Sequence, residues 1–264
     1  MTRPAGVELT VNEHPSATAR VIYLGVPTFG MVSIRWHAHL MQLQTPLNRS
    51  VFHAYGQGFE VGQARNYLVQ QALDWKNPAG HTVESVFFVD DDVLIPPHAL
   101  MTLMAHNRPI VSGLYYAKTR DPQPLLLPEP FAGTPPVPKN QLVECYAHGM
   151  GCTLIKLHVF RELLDQGLVE YETLPNGQRL PQFYKTTRDK VFDEHQKTVV
   201  YNETEDVHFL KLAAKLGYPA TVDTGLFCWH WDSSQQQAYP LSTWQHYRAT
   251  GEIVLPGHET AVAA

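Results

Sequence analysis

Two patterns of apolar and polar positions alternate along the first half of the chain. Short continuous apolar runs end in Gly, Pro or Asp in VIYLGVPTFG (21–30) and SVFFVDDD (85–92), and IVSGLYY (110–116) predicts another strand. Such runs are typical of strands that are covered on both faces. Between them, apolar residues recur at helical spacing in VGQARNYLVQQALDW (61–75) and in ALMTLMAH (99–106), which follows two prolines. The order of strands and helices predicts an α/β sheet with helices packed on it.

The second half of the chain also contains strand and helix patterns, which are separated by less regular stretches. GMGCTLIKLHVFRELLDQG (149–167) predicts a strand and then a short helix, and ETEDVHFLKLAAKLG (203–217) predicts a helix that Thr204 can cap. A strand near 220–222 leads into GLFCWHW. Residues 121–138 contain seven prolines, which predict an irregular excursion over the surface.

Composition narrows the class of protein. The 264 residues are 44% hydrophobic, 11% aromatic and 17% charged, which suits one large folded domain and excludes wholesale disorder. A net charge of −5 without a basic run argues against a duplex nucleic-acid partner. The chain lacks an apolar stretch of membrane-spanning length, and its first residues are polar, so we expect no transmembrane segment and a cytoplasmic location.

Three consecutive carboxylates, Asp90, Asp91 and Asp92, directly follow the VFFV strand. Ligands of open α/β sheets bind beyond the carboxyl ends of the strands. Adjacent carboxylates repel one another unless a cation neutralises them, and alternation along an extended chain points Asp90 and Asp92 the same way. Paired oxygen ligands suit Mg²⁺ or Mn²⁺. The alternative is a solvated acidic turn or a helix cap ahead of Pro96.

Two further features lie downstream. Glu205 and Asp206 open a predicted helix, whose positive end favours ionised carboxylates and keeps one available as a base. Ordinary helix-end electrostatics explains the same pair. His230 stands between Trp229 and Trp231, where a lone histidine is more often packed or hydrogen-bonded than metal-bound.

Taken in order, the segments resemble the A-type (GT-A fold) glycosyltransferases, particularly small family-2-like enzymes that use nucleotide sugars. The resemblance implies a GT-A-like three-layer α/β/α sandwich with a central mixed, mostly parallel sheet and a Rossmann-like nucleotide-binding half. It spans residues 21–231 and leaves 121–145, 168–200 and 233–264 unmatched. The matching segments are VIYLGVPTFG, GQARNYLVQQAL, FFVDDDVLIPPHAL, IVSGLYYAKT, GMGCTLIKLHVF, TEDVHFLKLAAKLGY and CWHW.

The resemblance also divides the chain. Residues 1–20 form an N-terminal extension, 21–232 the catalytic domain and 233–264 a C-terminal extension. Inside the catalytic domain, 121–140 is the proline-rich excursion and 168–200 a variable segment on the acceptor side.

Site residues follow from the same resemblance. Asp92, His230 and Asp90 are implied as ligands of a divalent ion, Mn²⁺ or Mg²⁺, that bridges the donor diphosphate. As an alternative to metal binding, the resemblance implies that Asp90 contacts the nucleotide ribose. It implies that Asp91 contacts the sugar or supports the loop. The remaining donor contacts implied for a UDP- or GDP-sugar are Pro27, Thr28, Arg65, Asn66, Gly149 and Gly151.

The implied reaction transfers a hexosyl group to a hydroxyl of a glycan, lipid-linked glycan, protein or small molecule. By resemblance to inverting members, Asp206 or its neighbour Glu205 is the base, although retaining enzymes share this layout. A sugar nucleotidyltransferase is a weaker alternative, because the loop after the first strand has only Gly30 and no Lys where a glycine-rich basic loop is expected. A carbohydrate- or nucleotide-binding module without catalysis is the non-enzymatic alternative.

Overall fold

The structure, a computed structural model, describes residues 20–76, 80–128, 137–192 and 198–256, with side chains outside 188–202. The helices in these ranges are α1 (Ile34–Met41), α2 (Val61–Leu73), α3 (Ala99–Ala105), α4 (Leu157–Asp165), α5 (Glu205–Lys215) and α6 (Leu241–Thr250). The strands are β1 (Arg20–Thr28), β2 (Arg49–Gln57), β3 (Thr82–Val89), β4 (Val93–Leu94), β5 (Ile110–Leu114), β6 (Leu126–Leu127), β7 (Leu142–Cys145), β8 (Ala147–His148), β9 (Cys152–Lys156), β10 (Tyr171–Thr173), β11 (Arg179–Pro181), β12 (Thr187–Phe192), β13 (Thr198–Glu203), β14 (Ala220–Phe227), β15 (Trp229–Asp232) and β16 (Gln237–Tyr239).

A mixed sheet of seven strands, in the order β2-β1-β3-β9-β5-β14-β7, forms the centre of the described fold. Three pairings are parallel (β2-β1, β1-β3 and β5-β14) and three are antiparallel (β3-β9, β9-β5 and β14-β7). Five strands therefore run in one direction, and β9 and β7 run in the other. The predicted α/β class is confirmed, with fewer parallel pairings than expected because β9 lies between β3 and β5.

Helices cover both faces of this sheet. One apolar cluster joins the sheet to α2, α4 and α5, and a second joins it to α1, α3 and Trp244 of α6. β1 is buried from Val21 to Thr28, and β3 from Ser85 to Val89. These continuous apolar runs therefore lie between two helical layers, as their sequence predicts.

Several elements differ from the sequence-based expectation. β2 was not predicted, since it is an edge strand with exposed and buried positions mixed along it. In the proline-rich stretch, Leu126–Leu127 form a short strand against β8, so the expectation of wholly irregular structure is wrong there. Residues 1–19, 129–136, 193–197 and 257–264, which belong to the predicted extensions, excursion and acceptor segment, lie outside the described residues.

The C-terminal extension contributes to the core. β16 pairs with β15, and the α6 residue Trp244 packs edge-on against Trp229 and Trp231 at centroid distances of 5.4 and 5.9 Å. Within the described ranges, we find no helix with the length and apolar character needed to cross a bilayer.

Candidate functional site

The Asp90–Asp92 turn leaves the carboxyl end of β3 and is fixed by its own backbone. The amide of Asp90 donates to the carbonyl of Gly151 (3.1 Å), and the Asp90 carbonyl accepts from the indole of Trp36 (2.7 Å). The Trp231 amide donates to the carbonyl of Asp92 (2.7 Å). Because both ends of the turn are held, the three carboxylates have defined positions.

A cleft lies beside this turn. Pro27 and Thr28, two of the predicted donor contacts, line it together with the three aspartates. β1 and β3 are parallel neighbours, so Thr28 and Asp90 emerge at the same edge of the sheet. Burial raises the pKa of Asp91, and a hydrogen bond from the Thr28 hydroxyl opposes that rise. The cleft has a volume of about 160 Å³ and is lined by Pro27, Thr28, Phe29, Phe59, Val61, Ala64, Asp90, Asp91 and Asp92.

Arg65 forms a buried two-point ion pair with Asp90. Its terminal nitrogens lie 2.9 and 3.0 Å from the two carboxylate oxygens of Asp90, and the Arg65 side chain is only 3% exposed. Glu205 approaches the same guanidinium at 3.9 Å. Both oxygens of Asp90 are thus engaged by the protein, so the chain itself supplies one of the cations that the acidic cluster was expected to need.

Asp92 is surrounded by two basic side chains. Its Oδ2 lies 3.5 Å from Nε2 of His230, and it also accepts a hydrogen bond from the ammonium of Lys118. Lys118 Nζ donates to the carbonyl of Trp231 as well (3.1 Å). Burial would raise the pKa of Asp92, but the hydrogen bond to His230 and the charges of His230 and Lys118 lower it to about 2. Asp92 is therefore ionised at neutral pH.

His230 and Asp92 are a suitable pair of ligands for a divalent ion. The ring nitrogen Nδ1 of His230 lies 2.8 Å from the carbonyl of Tyr116, which can only accept, so Nδ1 carries the proton. Nε2 faces the Asp92 carboxylate and hydrogen-bonds to it, and a divalent ion that replaced this proton would bind the Nε2 lone pair. Such backbone anchoring of the other ring nitrogen is usual for metal-binding histidines. Within the described ranges there is no group of three or more His, Cys, Asp or Glu side chains able to hold a metal. The protein would thus supply two ligands.

Glu205 and Asp206 lie at the start of α5, next to the start of α2. A methyl group added to Gly62 of α2 would lie 3.2 Å from Cβ of Glu205, which shows how closely the two helix ends approach. Burial raises the pKa of Glu205 to about 7, although the charge of Arg65 opposes the rise. Asp206 accepts from the amide of Val207 (2.8 Å) and from the Thr204 hydroxyl, so its carboxylate is oriented within its own helix end.

The two glycines predicted beneath the donor sugar are required by protein packing. A Cβ at Gly149 would clash with the hydroxyl of Tyr115, and one at Gly151 would lie 2.6 Å from Cγ2 of Val93. The Gly151 amide also donates to the Tyr115 hydroxyl (2.8 Å). These contacts explain the glycines without a ligand, and their place beneath a sugar stays a prediction.

Asn66 has a structural role that differs from the predicted donor contact. Its side chain is 1% exposed, and its amide donates to the carbonyl of Tyr184 (2.8 Å) and accepts from the Tyr184 amide (2.9 Å). Both ends of the side chain are therefore engaged by the backbone. Asn66 thus connects α2 to the segment at Tyr184 and is not among the residues that line the cleft, and its donor contact stays a prediction.

Sequence reasoning missed Lys118, and the structure adds the buried His148 to the surroundings of the site. Lys118 is the first lysine after β5, at the same sheet edge as Asp90, so the rule that placed the carboxylates could have found it. His148 is 3% exposed, and its Nε2 has no hydrogen-bond partner among the described residues. Burial lowers the pKa of His148, so its ring is neutral near Asp206, whose charge acts on it.

Comparisons with known proteins add little to this geometry. No family model matches the chain, and no curated protein matches it. Among solved structures, the chain is similar to one described as the crystal structure of A197 from STIV, with 18% identity and a TM-score of 0.48. The similarity covers 83% of this chain and 88% of that chain. This likeness is too low to support a functional argument, which therefore depends on the site.

Proposed function

We propose that the protein is a metal-dependent glycosyltransferase of the GT-A type. It transfers a hexosyl group from a UDP- or GDP-sugar to a hydroxyl acceptor, with Mn²⁺ or Mg²⁺ as the metal. The observation that carries the proposal is the meeting of Asp92 and His230, which lie 138 positions apart in sequence and 3.5 Å apart in space. They meet beside a cleft at the carboxyl edge of the sheet, where α/β proteins bind nucleotides.

The cleft between β1 and the Asp90–Asp92 turn is the donor site in this proposal. Pro27 and Thr28 line one side of it and Asp91 lines the other, which gives the nucleoside both an apolar wall and hydrogen-bonding groups. The diphosphate would lie towards Asp92, where the Lys118 ammonium supplies positive charge and hydrogen-bond donors, and where Asp92 and His230 would hold the metal.

Stabilisation of the leaving diphosphate is the largest electrostatic task in such a transfer. A bound divalent ion would supply Lewis-acid stabilisation of that charge. Arg65 was expected to contribute directly. Its buried pairing with Asp90 and Glu205 supports a different role, in which it fixes the acidic turn and the start of α5.

Asp206 is the proposed general base, which accepts the proton of the acceptor hydroxyl as the sugar is attacked from the opposite face. Its hydrogen bonds with Thr204 and the Val207 amide orient one carboxylate oxygen and leave the other able to accept. Glu205 is the alternative base, because a pKa of about 7 suits proton transfer at neutral pH. Glu205 is nevertheless enclosed, with a side chain 13% exposed beside Arg65.

Release of UDP or GDP from a panel of nucleotide sugars, with Mn²⁺ and a mixture of hydroxyl acceptors, tests this proposal. Asp206→Asn should lower the rate of transfer about 10²- to 10⁴-fold, the usual contribution of a general base. Glu205→Gln should have the smaller effect. Asp165→Asn neutralises an exposed carboxylate at the end of α4 and is the control. If Asp206→Asn transfers sugar at the wild-type rate, either Glu205 is the base or the reaction is retaining, which the anomeric configuration of the product decides.

A further inference from the structure

Lys118 occupies an unusual position for a lysine in a site of this kind. It follows β5 and reaches across to the acidic turn, where its ammonium donates to Asp92 Oδ2 and to the Trp231 carbonyl. Burial raises the pKa of Asp91, and the charge of Lys118 is among the effects that oppose this rise. The side chain is 29% exposed, so it is partly open to solvent beside Asp92, which lines the cleft.

The ammonium and a divalent ion would compete for the same oxygen. Oδ2 of Asp92 is both the atom that Lys118 contacts and the atom that lies 3.5 Å from Nε2 of His230. Two cations at one carboxylate oxygen repel each other strongly where water is partly excluded. A metal held by Asp92 and His230 therefore requires the ammonium to leave Asp92.

We propose that Lys118 is an internal counter-ion that holds Asp92 in the metal-free protein and turns to the donor diphosphate when the metal binds. The inference rests on the proposed function, since it takes Asp92 and His230 as the metal ligands. Its consequence is that metal and nucleoside diphosphate bind cooperatively, because the diphosphate offers the displaced ammonium a new anionic partner.

The chemistry of lysine suits this exchange. A lysine carries a compact charge on a flexible four-carbon stem, so a rotation of the stem can move the charge while the backbone stays in place. Without an anion to receive it, the displaced ammonium would remain unpaired in a partly buried site, which is costly. His230 would keep its orientation throughout, because its Nδ1 is held by the Tyr116 carbonyl.

The test is a titration of the protein with Mn²⁺, followed by electron paramagnetic resonance of the free ion, first without nucleotide and then with UDP or GDP. Wild type should bind Mn²⁺ weakly alone and more tightly with the diphosphate. Lys118→Met should bind Mn²⁺ alone more tightly than wild type, by about 5- to 150-fold, the usual range of coupling between two sites. The gain that UDP or GDP adds should be correspondingly smaller in this variant.

Two controls accompany the titration. Lys215→Met removes the same charge from the exposed end of α5 and should leave Mn²⁺ binding unchanged. Lys118→Arg keeps the charge and should bind Mn²⁺ alone as weakly as wild type does. If Lys118→Met does not fold, Lys118→Gln retains a donor for the Trp231 carbonyl and takes its place.

The outcomes separate this inference from the proposed function. If wild type binds Mn²⁺ with UDP or GDP, but Lys118→Met binds Mn²⁺ alone no more tightly than wild type, the counter-ion role is overturned and the glycosyltransferase proposal stands. If wild type binds no Mn²⁺ with either diphosphate, the metal site fails and the inference fails with it.

Discussion

At the scale of single residues, the two-point ion pair of Arg65 with Asp90 joins α2 to the acidic turn. Arg65→Met would leave the Asp90 carboxylate without its two-point partner, and breaking such a buried pair costs about 3–5 kcal/mol. We therefore expect a loss of unfolding free energy of about that size, measured by urea denaturation. Arg65→Lys should recover only part of it, since a lysine cannot form the two parallel hydrogen bonds.

The control for Arg65 is an exposed arginine. Arg108 lies 3.7 Å from Glu144, and both side chains are largely exposed, at 44% and 59%. Pairs of this kind contribute about 0–1 kcal/mol, so Arg108→Met should change the unfolding free energy little. Equal losses for Arg65→Met and Arg108→Met would contradict the account of the buried pair.

Glu205 makes the stability of the protein depend on pH. Its pKa is about 7 in the folded protein, against an ordinary value of 4.5. Between these values the folded state binds more protons than the unfolded state, so this residue lowers stability as pH rises through the window. Glu205→Gln removes the titration and should be more stable than wild type at pH 8, by roughly 3–4 kcal/mol at about 1.4 kcal/mol per pKa unit.

The measurement for Glu205 is urea denaturation of both proteins from pH 4.5 to 8. The advantage of Glu205→Gln should shrink steadily as the pH falls and should be smallest near pH 4.5. A difference that does not vary with pH would mean that Glu205 does not titrate in this window.

The roles of single residues could be predicted from the sequence only where the residues next to them in the chain formed a recognisable pattern. The positions of Asp90, Asp91 and Asp92 at a strand end followed from the apolar run that precedes them. The partner of Asp90 did not, because Arg65 looks like an ordinary helix residue until α2 packs beside β3. Lys118 was missed for the same reason: its contact with Asp92 joins positions 26 apart, which periodicity does not connect.

At the scale of elements, the position of α2 depends on Asn66. The two hydrogen bonds between its side chain and the Tyr184 backbone join this helix to a segment 118 positions away. Asn66→Ala would leave a buried backbone N–H and carbonyl unpaired, which costs about 1–3 kcal/mol for each such group. We expect a loss of unfolding free energy of that order and faster hydrogen exchange at the Tyr184 amide.

Asn66→Asp distinguishes a structural role from a ligand contact. The aspartate can still accept from the Tyr184 amide but cannot donate to its carbonyl, and it buries an unpaired carboxylate beside that carbonyl. Asn66→Asp should therefore be at least as destabilised as Asn66→Ala. In both variants, the response to UDP or GDP with Mn²⁺ should persist below the melting temperature. Loss of that response in a well-folded Asn66→Asp protein would support the predicted donor contact.

Helices and strands with a clear pattern of apolar residues were predicted from the sequence. Strands whose position or direction depends on pairing with other strands were not. β1 and β3 were visible because they are buried on both sides, and α5 because Thr204 precedes it and Gly217 follows it. β2 lies at the sheet edge and carries polar residues, so its pairing with β1 comes from the tertiary fold. The direction of β9 was equally hidden, because an apolar strand reads the same in either orientation.

At the scale of the whole molecule, the sheet places segments that are distant in sequence at one edge. Thr28 at the end of β1, Asp90 after β3 and Lys118 after β5 lie on strands that run in the same direction, or directly follow them. β15 then returns His230 and the Trp231 carbonyl to the same place, through its pairing with β4 next to the acidic turn. The site therefore depends on strand order, which the sequence motifs suggested only through the resemblance.

The most direct test of the central claim is a thermal melt with UDP and GDP, each with and without Mn²⁺. A ligand that binds only the folded state raises the melting temperature, so a glycosyltransferase of this type should be stabilised by a nucleoside diphosphate when Mn²⁺ is present. Asp92→Ala should abolish this shift, whereas Asp165→Ala should retain it. If neither diphosphate shifts the melting temperature of the wild-type protein in the presence of Mn²⁺, the proposed function is wrong.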